Sequence, residues 1–404
     1  MHKFIFIILT IILSNVFFIF PINAETNSFP SIQSKGAIIM EKDSGQILFE
    51  KNSTSQMYPA SLTKIATTIF AIEKGKLEDI VTISSNASSK NVEGTTVFLE
   101  QGEKVALHTL IRGLLINSGN DAGVAIAEHL SGSEMQFVKD INTYLKDVIG
   151  VHNTNFTNPH GLFNPNHTTT AEDMAKIIQY ALKNETFKDV FGAKQFAWEG
   201  LSWDTTLITH HKLLKGEIPF EGITGGKNGF VHQSGYTLAT TAERERLSLI
   251  VITLNSSTDK LAYDDTIELL NFGFDHFETS YIKKEATFSN ETDSYILPQK
   301  LAFTYPFGSN IQHQVTQEGT LEIVVDNDEI LSTHKLEKQK IETNSNNNAI
   351  EVNKIPTDNQ TSDSETKEQE AKINIKQISI VHLIGTFILV VVGHIYHKTQ
   401  LPFK

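Results

Sequence analysis

Apolar residues at helical spacing mark the first element that matters. Leu62, Ile65, Ala66, Ile69, Phe70 and Ile72 recur at that period, and Gly75 supplies a stop. Ahead of it, Gly36 to Met40 and Gln46 to Phe49 are β-rich runs around Lys42-Asp43-Ser44-Gly45, a hairpin signature. Residues 25–34 read as a loose leader to that hairpin. Residues 80–106 break into short strand-like pieces, Ile80-Val81-Thr82-Ile83 and Thr95-Thr96-Val97-Phe98-Leu99, with turn formers between. Leu107 to Ile116 returns to helical spacing and ends at Asn117-Ser118-Gly119-Asn120. Asp121 to Leu130 starts another helix, closed near Gly132, and residues 134–150 form a further one. A loop of turn formers, Asn153 to Leu162, precedes a helix opened by Thr169-Thr170-Ala171-Glu172-Asp173-Met174, with Thr169 or Thr170 as cap. Tyr236 to Thr241 and Leu247 to Leu254 read as strands, and Asp264 to Phe272 as a helix. From Tyr281 to His334 the pattern is short alternating pieces such as Leu321-Glu322-Ile323-Val324-Val325, which predicts a small β domain. Periodicity gives mixed α and β and stops short of a topology.

The two ends carry a different pattern. His2 and Lys3 precede an apolar run from Phe4 to Phe20, and Pro21-Ile22-Asn23-Ala24 offers a small residue for cleavage, so residues 1–24 read as a secretory signal peptide. An uncleaved anchor is the competing reading, since the run is long and Ile22 is bulky. Residues 336–376 are nearly empty of large apolar groups and too polar to offset chain entropy by burial, which predicts a disordered tether. The apolar run 378–396 follows, and at helical rise it covers roughly 28 Å, close to bilayer thickness. Lys398 and Lys404 lie beyond it, so a single membrane span with a short cytoplasmic tail is expected.

With 404 residues there is room for more than one domain. The formal net charge of -13 argues against a nucleic-acid partner, whose binding needs basic patches. The absence of cysteine removes thiol catalysis, disulfides and zinc–thiolate sites together. His160, His167, His210, His211 and His232 form no His-Glu-x-x-His pair or tight ligand cluster, so they read as loop and surface groups rather than metal ligands.

Candidate chemistry lies at three places. Ser61 and Lys64 stand three apart at the start of the first helix, on one face. A serine hydroxyl is a weak nucleophile that needs a neighbouring base, and lysine serves as one only if burial or a nearby cation lowers its pKa. Alone, the pair is a weak signal and reads as an N-cap serine followed by a surface lysine. Ser118-Gly119-Asn120 alone is ordinary capping chemistry at a helix–helix junction. Gly222 to Gly229 holds four glycines in eight residues, which permits close backbone approach, but it lacks the Gly-Lys-Ser/Thr of a P-loop. Lys227 there also fits a solvated lysine.

Together and in order, Ser61-Leu62-Thr63-Lys64, Ser118-Gly119-Asn120 and Lys227-Asn228-Gly229 resemble the low-molecular-mass penicillin-binding proteins, the serine-type D-alanyl-D-alanine carboxypeptidases. The resemblance runs from about Gly36 to Phe277 and includes Pro59-Ala60-Ser61, Asn158-Pro159-His160-Gly161-Leu162 and Asn271-Phe272-Gly273-Phe274. It implies an α/β (α+β) fold of the β-lactamase/transpeptidase type, an antiparallel sheet flanked by helices with a helical subdomain. That peptidase domain would cover residues 30–277, with a β-rich domain over 281–335. It implies Ser61 as acylated nucleophile, Lys64 as general base and Ser118 as proton relay. Asn120 would hold the substrate and Lys64, and Lys227, Asn228 and Gly229 would bind the substrate carboxylate. The Ser61 and Phe230 N–H groups would form the oxyanion hole. The substrate would be the D-Ala–D-Ala end of a peptidoglycan stem peptide, with β-lactams as inhibitors and no metal or organic cofactor. The enzyme would work at the extracytoplasmic membrane face.

Two departures stand out. Asn228 occupies the place where the family usually has Thr. No arginine lies between Arg246 and the C-terminus to grip the carboxylate, which leaves Lys260 as the nearest cation. Endopeptidase or β-lactamase activity, and a catalytically weak wall-binding scaffold, are the alternatives.

Overall fold

The computed structural model describes residues 29–326 and 328–339. The chain opens with the hairpin β1 (Gly36–Glu41) and β2 (Ile47–Lys51), then a 3₁₀ turn, Ala60–Leu62, runs into α1 (Thr63–Lys74). The short pair β3 (Ile80–Thr82) and β4 (Lys104–Ala106) leads to α2 (Leu107–Ile116), α3 (Asn120–Ser131) and α4 (Glu134–Tyr144), the last continued by a π-turn at Leu145–Ile149. After a long loop come α5 (Ala171–Ala181), α6 (Glu185–Phe191), the hairpin β5 (Gln195–Glu199) and β6 (Asp204–Ile208), and the single turn α7 (Lys212–Lys215). The strands β7 (Ile223–Val231), β8 (Gly235–Arg244) and β9 (Leu247–Ser256) precede the long helix α8 (Asp259–His276).

Five of these strands form one antiparallel sheet in the order β2-β1-β9-β8-β7. Its inner strands are covered on both faces, which is why β1 and β9 read as nearly continuous apolar runs. Alternate residues divide between the faces. Ile38, Met40, Ile250 and Ile252 join the helical layer of α1, α2, α3 and α5. Ile39, Leu249 and Val251 pack on Leu269 and Leu270 of α8. This leaves β7 at the sheet edge, beside the start of α1.

Several sequence expectations change. Thr95 to Leu99 is no strand: the N–H groups of Val97 and Leu99 are bound by the Asp121 carboxylate, so they have no ladder to join. The Gly-rich segment is a strand, β7 itself. Helix α8 starts five residues before Asp264 and ends four after Phe272. Residues 31–34 are anchored, since Ser31 N–H donates to Glu268, and those of Gln33 and Ser34 to Asp265. Thr170 is the cap of α5, accepting from the N–H of Asp173.

Beyond α8, β10 (Phe277–Ile282) begins the β-rich part, with β11 (Thr287–Ser289), β12 (Ser294–Ile296), β13 (Leu301–Pro306), β14 (Ile311–Val315), β15 (Thr320–Val325), β16 (Glu329–Lys335) and β17 (Glu337–Lys338). These pair into small antiparallel sheets around Tyr295, Phe303, Leu321 and Ile323. Leu336 is buried in that core and β17 pairs with β12, so the β region extends past residue 335 into the expected tether. Among the described residues, no helix is long and apolar enough to cross a membrane. The expected signal peptide (1–24), the rest of the tether and the apolar run 378–396 lie outside the described residues.

Candidate active site

Ser61 sits where three pieces of backbone meet. Ala60, just before it, is buried and held at φ 47, in the left-handed region that an alanine rarely adopts. Strand β7 presses on the turn from one side: a Cβ on Gly229 would lie 2.7 Å from the Ser61 nitrogen. The Asn158–Leu162 loop presses from the other: a Cβ on Gly161, at φ 94, would lie 1.9 Å from the Ala60 carbonyl oxygen. Thr237 on β8 donates to the Pro59 carbonyl at 3.0 Å and ties the turn to the sheet. Glycine at 161 and 229 is thus a requirement of close approach.

Within this frame Lys64 is 1% exposed. Its amine lies 3.0 Å from Ser61 Oγ and donates to the His160 carbonyl at 2.7 Å. Ser118, at φ 66 in the turn between α2 and α3, donates its hydroxyl to Ser61 Oγ at 3.2 Å. Burial, and then the charge of Lys227, drive the Lys64 pKa well below the ordinary lysine value, while the Asp121 carboxylate opposes them. Lys227 is 3% exposed, and burial takes it down to about 7. Its amine donates to the Asn228 carbonyl at 2.8 Å. A carboxylate placed against Lys227 raises its proton affinity again. Chemically, the arrangement offers a hydroxyl beside an amine that can be neutral, with a second hydroxyl in reach to pass a proton onward.

The other expected residues are placed as follows. Asn120 is buried, but its amide donates to the Glu93 carbonyl at 2.7 Å rather than to Lys64. Asn228 lies half-buried on β7 between Lys227 and Gly229, and Phe230 follows them. The Phe230 ring is 48% exposed and lies tilted against Tyr236, with centroids 4.6 Å apart. Lys260 is exposed and paired with Asp264 one helical turn on.

Three histidines expected at the surface are buried: His160, His167 and His211. Burial holds each at about 3, hence neutral. His167 Nδ1 accepts the Thr157 N–H at 3.0 Å, so Nε2 carries the proton and donates to Thr63 Oγ1 at 2.8 Å. Thr63 in turn donates to the Ala60 carbonyl at 2.8 Å. His167 therefore underpins the strained turn before Ser61. His211 Nδ1 accepts from the Leu214 N–H, and Nε2 donates to Thr240 at 2.9 Å behind β7. A histidine in a turn-rich loop has no periodic signal, so nothing in the spacing marked these as interior groups. His210 and His232 are exposed. Among the described residues, no group of three His, Asp or Glu is placed to hold a metal ion.

Comparison with known proteins follows the same stretch. Residues 23–258, more than half of the chain, match the D-alanyl-D-alanine carboxypeptidase family. The chain is 33% identical over 256 residues to the D-alanyl-D-alanine carboxypeptidase DacF of Bacillus subtilis, covering 62% of this chain and 65% of that protein, just under two thirds. It is 35% identical over 283 residues to DacA of Haemophilus influenzae, covering 64% of this chain and 67% of the relative. The fold is similar to that of penicillin binding protein 5 from Haemophilus influenzae, with a TM-score of 0.69 and 28% identity over 77% of this chain and 98% of the other.

Proposed function

This chain belongs to the D-alanyl-D-alanine carboxypeptidase family, and on that premise we propose that it removes the terminal D-Ala from peptidoglycan stem peptides by a serine acyl-enzyme route. The observation that carries the reading is the buried Lys64 amine, 3.0 Å from Ser61 Oγ and with its proton affinity lowered by burial and Lys227. Neutral Lys64 takes the Ser61 proton as Oγ attacks the carbonyl of the penultimate D-Ala. The N–H groups of Ser61 and Phe230 face the developing oxyanion. Ser118 passes a proton to the leaving D-Ala nitrogen, the peptide bond breaks, and an ester to Ser61 remains. Water then attacks that ester, Lys64 again serves as base, and the shortened peptide leaves with Ser61 restored. Lys227 holds the substrate's terminal carboxylate, with Asn228 and Gly229 beside it on the edge strand. A β-lactam mimics the same bond and leaves its acyl group on Ser61.

The sequence supports export and tethering: residues 1–24 serve as signal and residues 378–396 as the membrane anchor, so the enzyme acts at the outer membrane face. Incubation with a D-Ala–D-Ala peptide tests the activity. Wild type releases D-Ala, and Lys64→Ala loses about 10²–10⁴-fold in turnover, the range for a positioned base. Binding of the peptide without release would instead identify a wall-binding scaffold.

A further inference from the structure

Asp121 follows the Ser118-Gly119-Asn120 turn and has no part in the reaction proposed above. Its carboxylate is fully buried. It accepts from the N–H of Val97 at 3.0 and 3.1 Å, of Leu99 at 3.1 Å and of Ala122 at 2.9 Å. The residue between the first two donors, Phe98, is held at φ 60 with its ring 52% exposed. An L-residue rarely adopts that backbone conformation, so something must enforce it. Two N–H groups converging on one carboxylate do so.

The clamped segment reaches the candidate active site through its own carbonyls. Thr95 O accepts from the Asn120 N–H at 2.7 Å, and Glu93 O accepts from the Asn120 side-chain amide at 2.7 Å. Thr96 O accepts from the Asn117 amide at 3.0 Å. Residues 93–99 and 117–121 therefore hold each other, with Ser118 between Asn117 and Asn120.

We propose that Asp121 is a positioning residue for this site: its carboxylate clamps residues 97–99 and thereby fixes the carbonyls that orient Asn120 and the turn bearing Ser118. The proposal rests on the reading of Ser61 and Lys64 as nucleophile and base. The same carboxylate also acts on the base by charge. From α3 it raises the proton affinity of Lys64, against burial and against Lys227 on β7. His160 and His167, from the loop on the other side, are neutral above about 3 and add no charge.

Two substitutions separate position from charge. Asp121→Asn keeps the shape, removes the charge and turns an amide NH₂ toward N–H donors. The expected result is a fall in kcat/KM for D-Ala release of about tenfold or more. The acid limb of the pH profile should also move to lower pH by about half a unit or more. Asp121→Glu keeps the charge but displaces it, so the rate falls while the acid limb stays. Should Asp121→Asn not fold, Asp121→Glu is read in its place. Unchanged kinetics in either variant, or a fall in Asp121→Asn with an unmoved acid limb, overturns the proposal. Wild-type acylation by a fluorescent penicillin, run alongside, keeps the two levels apart: if wild type is not acylated at Ser61, it is the nucleophile reading that fails.

Discussion

At the residue scale the central device is a pair of buried amines of unequal role. Lys64 is lowered by burial and then by the charge of Lys227, whereas Lys227 is lowered by burial alone. One amine is thus able to accept a proton, and the other to be charged by an incoming carboxylate. Asn228 bears on the second task. Its amide can donate to a carboxylate, but with a different reach from a threonine hydroxyl. Asn228→Thr is expected to raise kcat/KM for a D-Ala–D-Ala peptide several-fold, within the roughly 0.5–1.5 kcal/mol of one hydrogen bond. Equal turnover and equal penicillin acylation in the two proteins would contradict that. The residues of the three motifs were legible because their chemistry is carried by residue type and order. Asp121 and His167 were not, because each acts through backbone groups that tertiary contact alone brings to it.

At the scale of elements, the sheet interior was readable and its edge was not. Strands β1 and β9 announce themselves as apolar β-branched runs buried on both faces. Strand β7 is written in glycine, which has little strand preference: Gly229 leaves room for the turn before Ser61, while Gly225 and Gly226 leave room for Phe191 and His211. The Thr95–Leu99 run carries strand-like residues, yet a buried carboxylate outcompetes any partner strand for its N–H groups. The Asn158–Leu162 loop shows the same dependence of element on contact. Gly161→Ala meets both an unfavourable φ and the Ala60 carbonyl, so the loop must move and take the His160 carbonyl away from Lys64. A stability loss of roughly 1–3 kcal/mol, seen in thermal unfolding, is expected together with a marked fall in D-Ala release. An unchanged melting temperature with full activity would contradict this packing account.

At the scale of the whole molecule, the buried histidines set the acid limit of stability. His160, His167 and His211 are held at about 3, against an ordinary 6.5, so the unfolded chain takes up protons that the native state refuses. Stability is fully present above about 6.5 and is lost as pH falls from there toward 3. Urea midpoints should therefore drop between pH 7 and pH 5, and His167→Gln should reduce that drop. A flat midpoint over this range would mean the three rings are not held neutral. The β-rich region is part of the same described body: Ser44 of the β1–β2 turn hydrogen-bonds Thr304 of β13 at 2.8 Å. Its strand content was readable from alternation, but its C-terminal limit was not, since Leu336 is buried by partners far away in sequence. The most direct test of the central claim is peptide mapping by mass spectrometry after brief exposure to benzylpenicillin. A penicilloyl group on the peptide holding Ser61, absent in Ser61→Ala and nearly absent in Lys64→Ala, is the predicted result. An unmodified Ser61 peptide, or equal labelling of the Ser61→Ala protein, would contradict it.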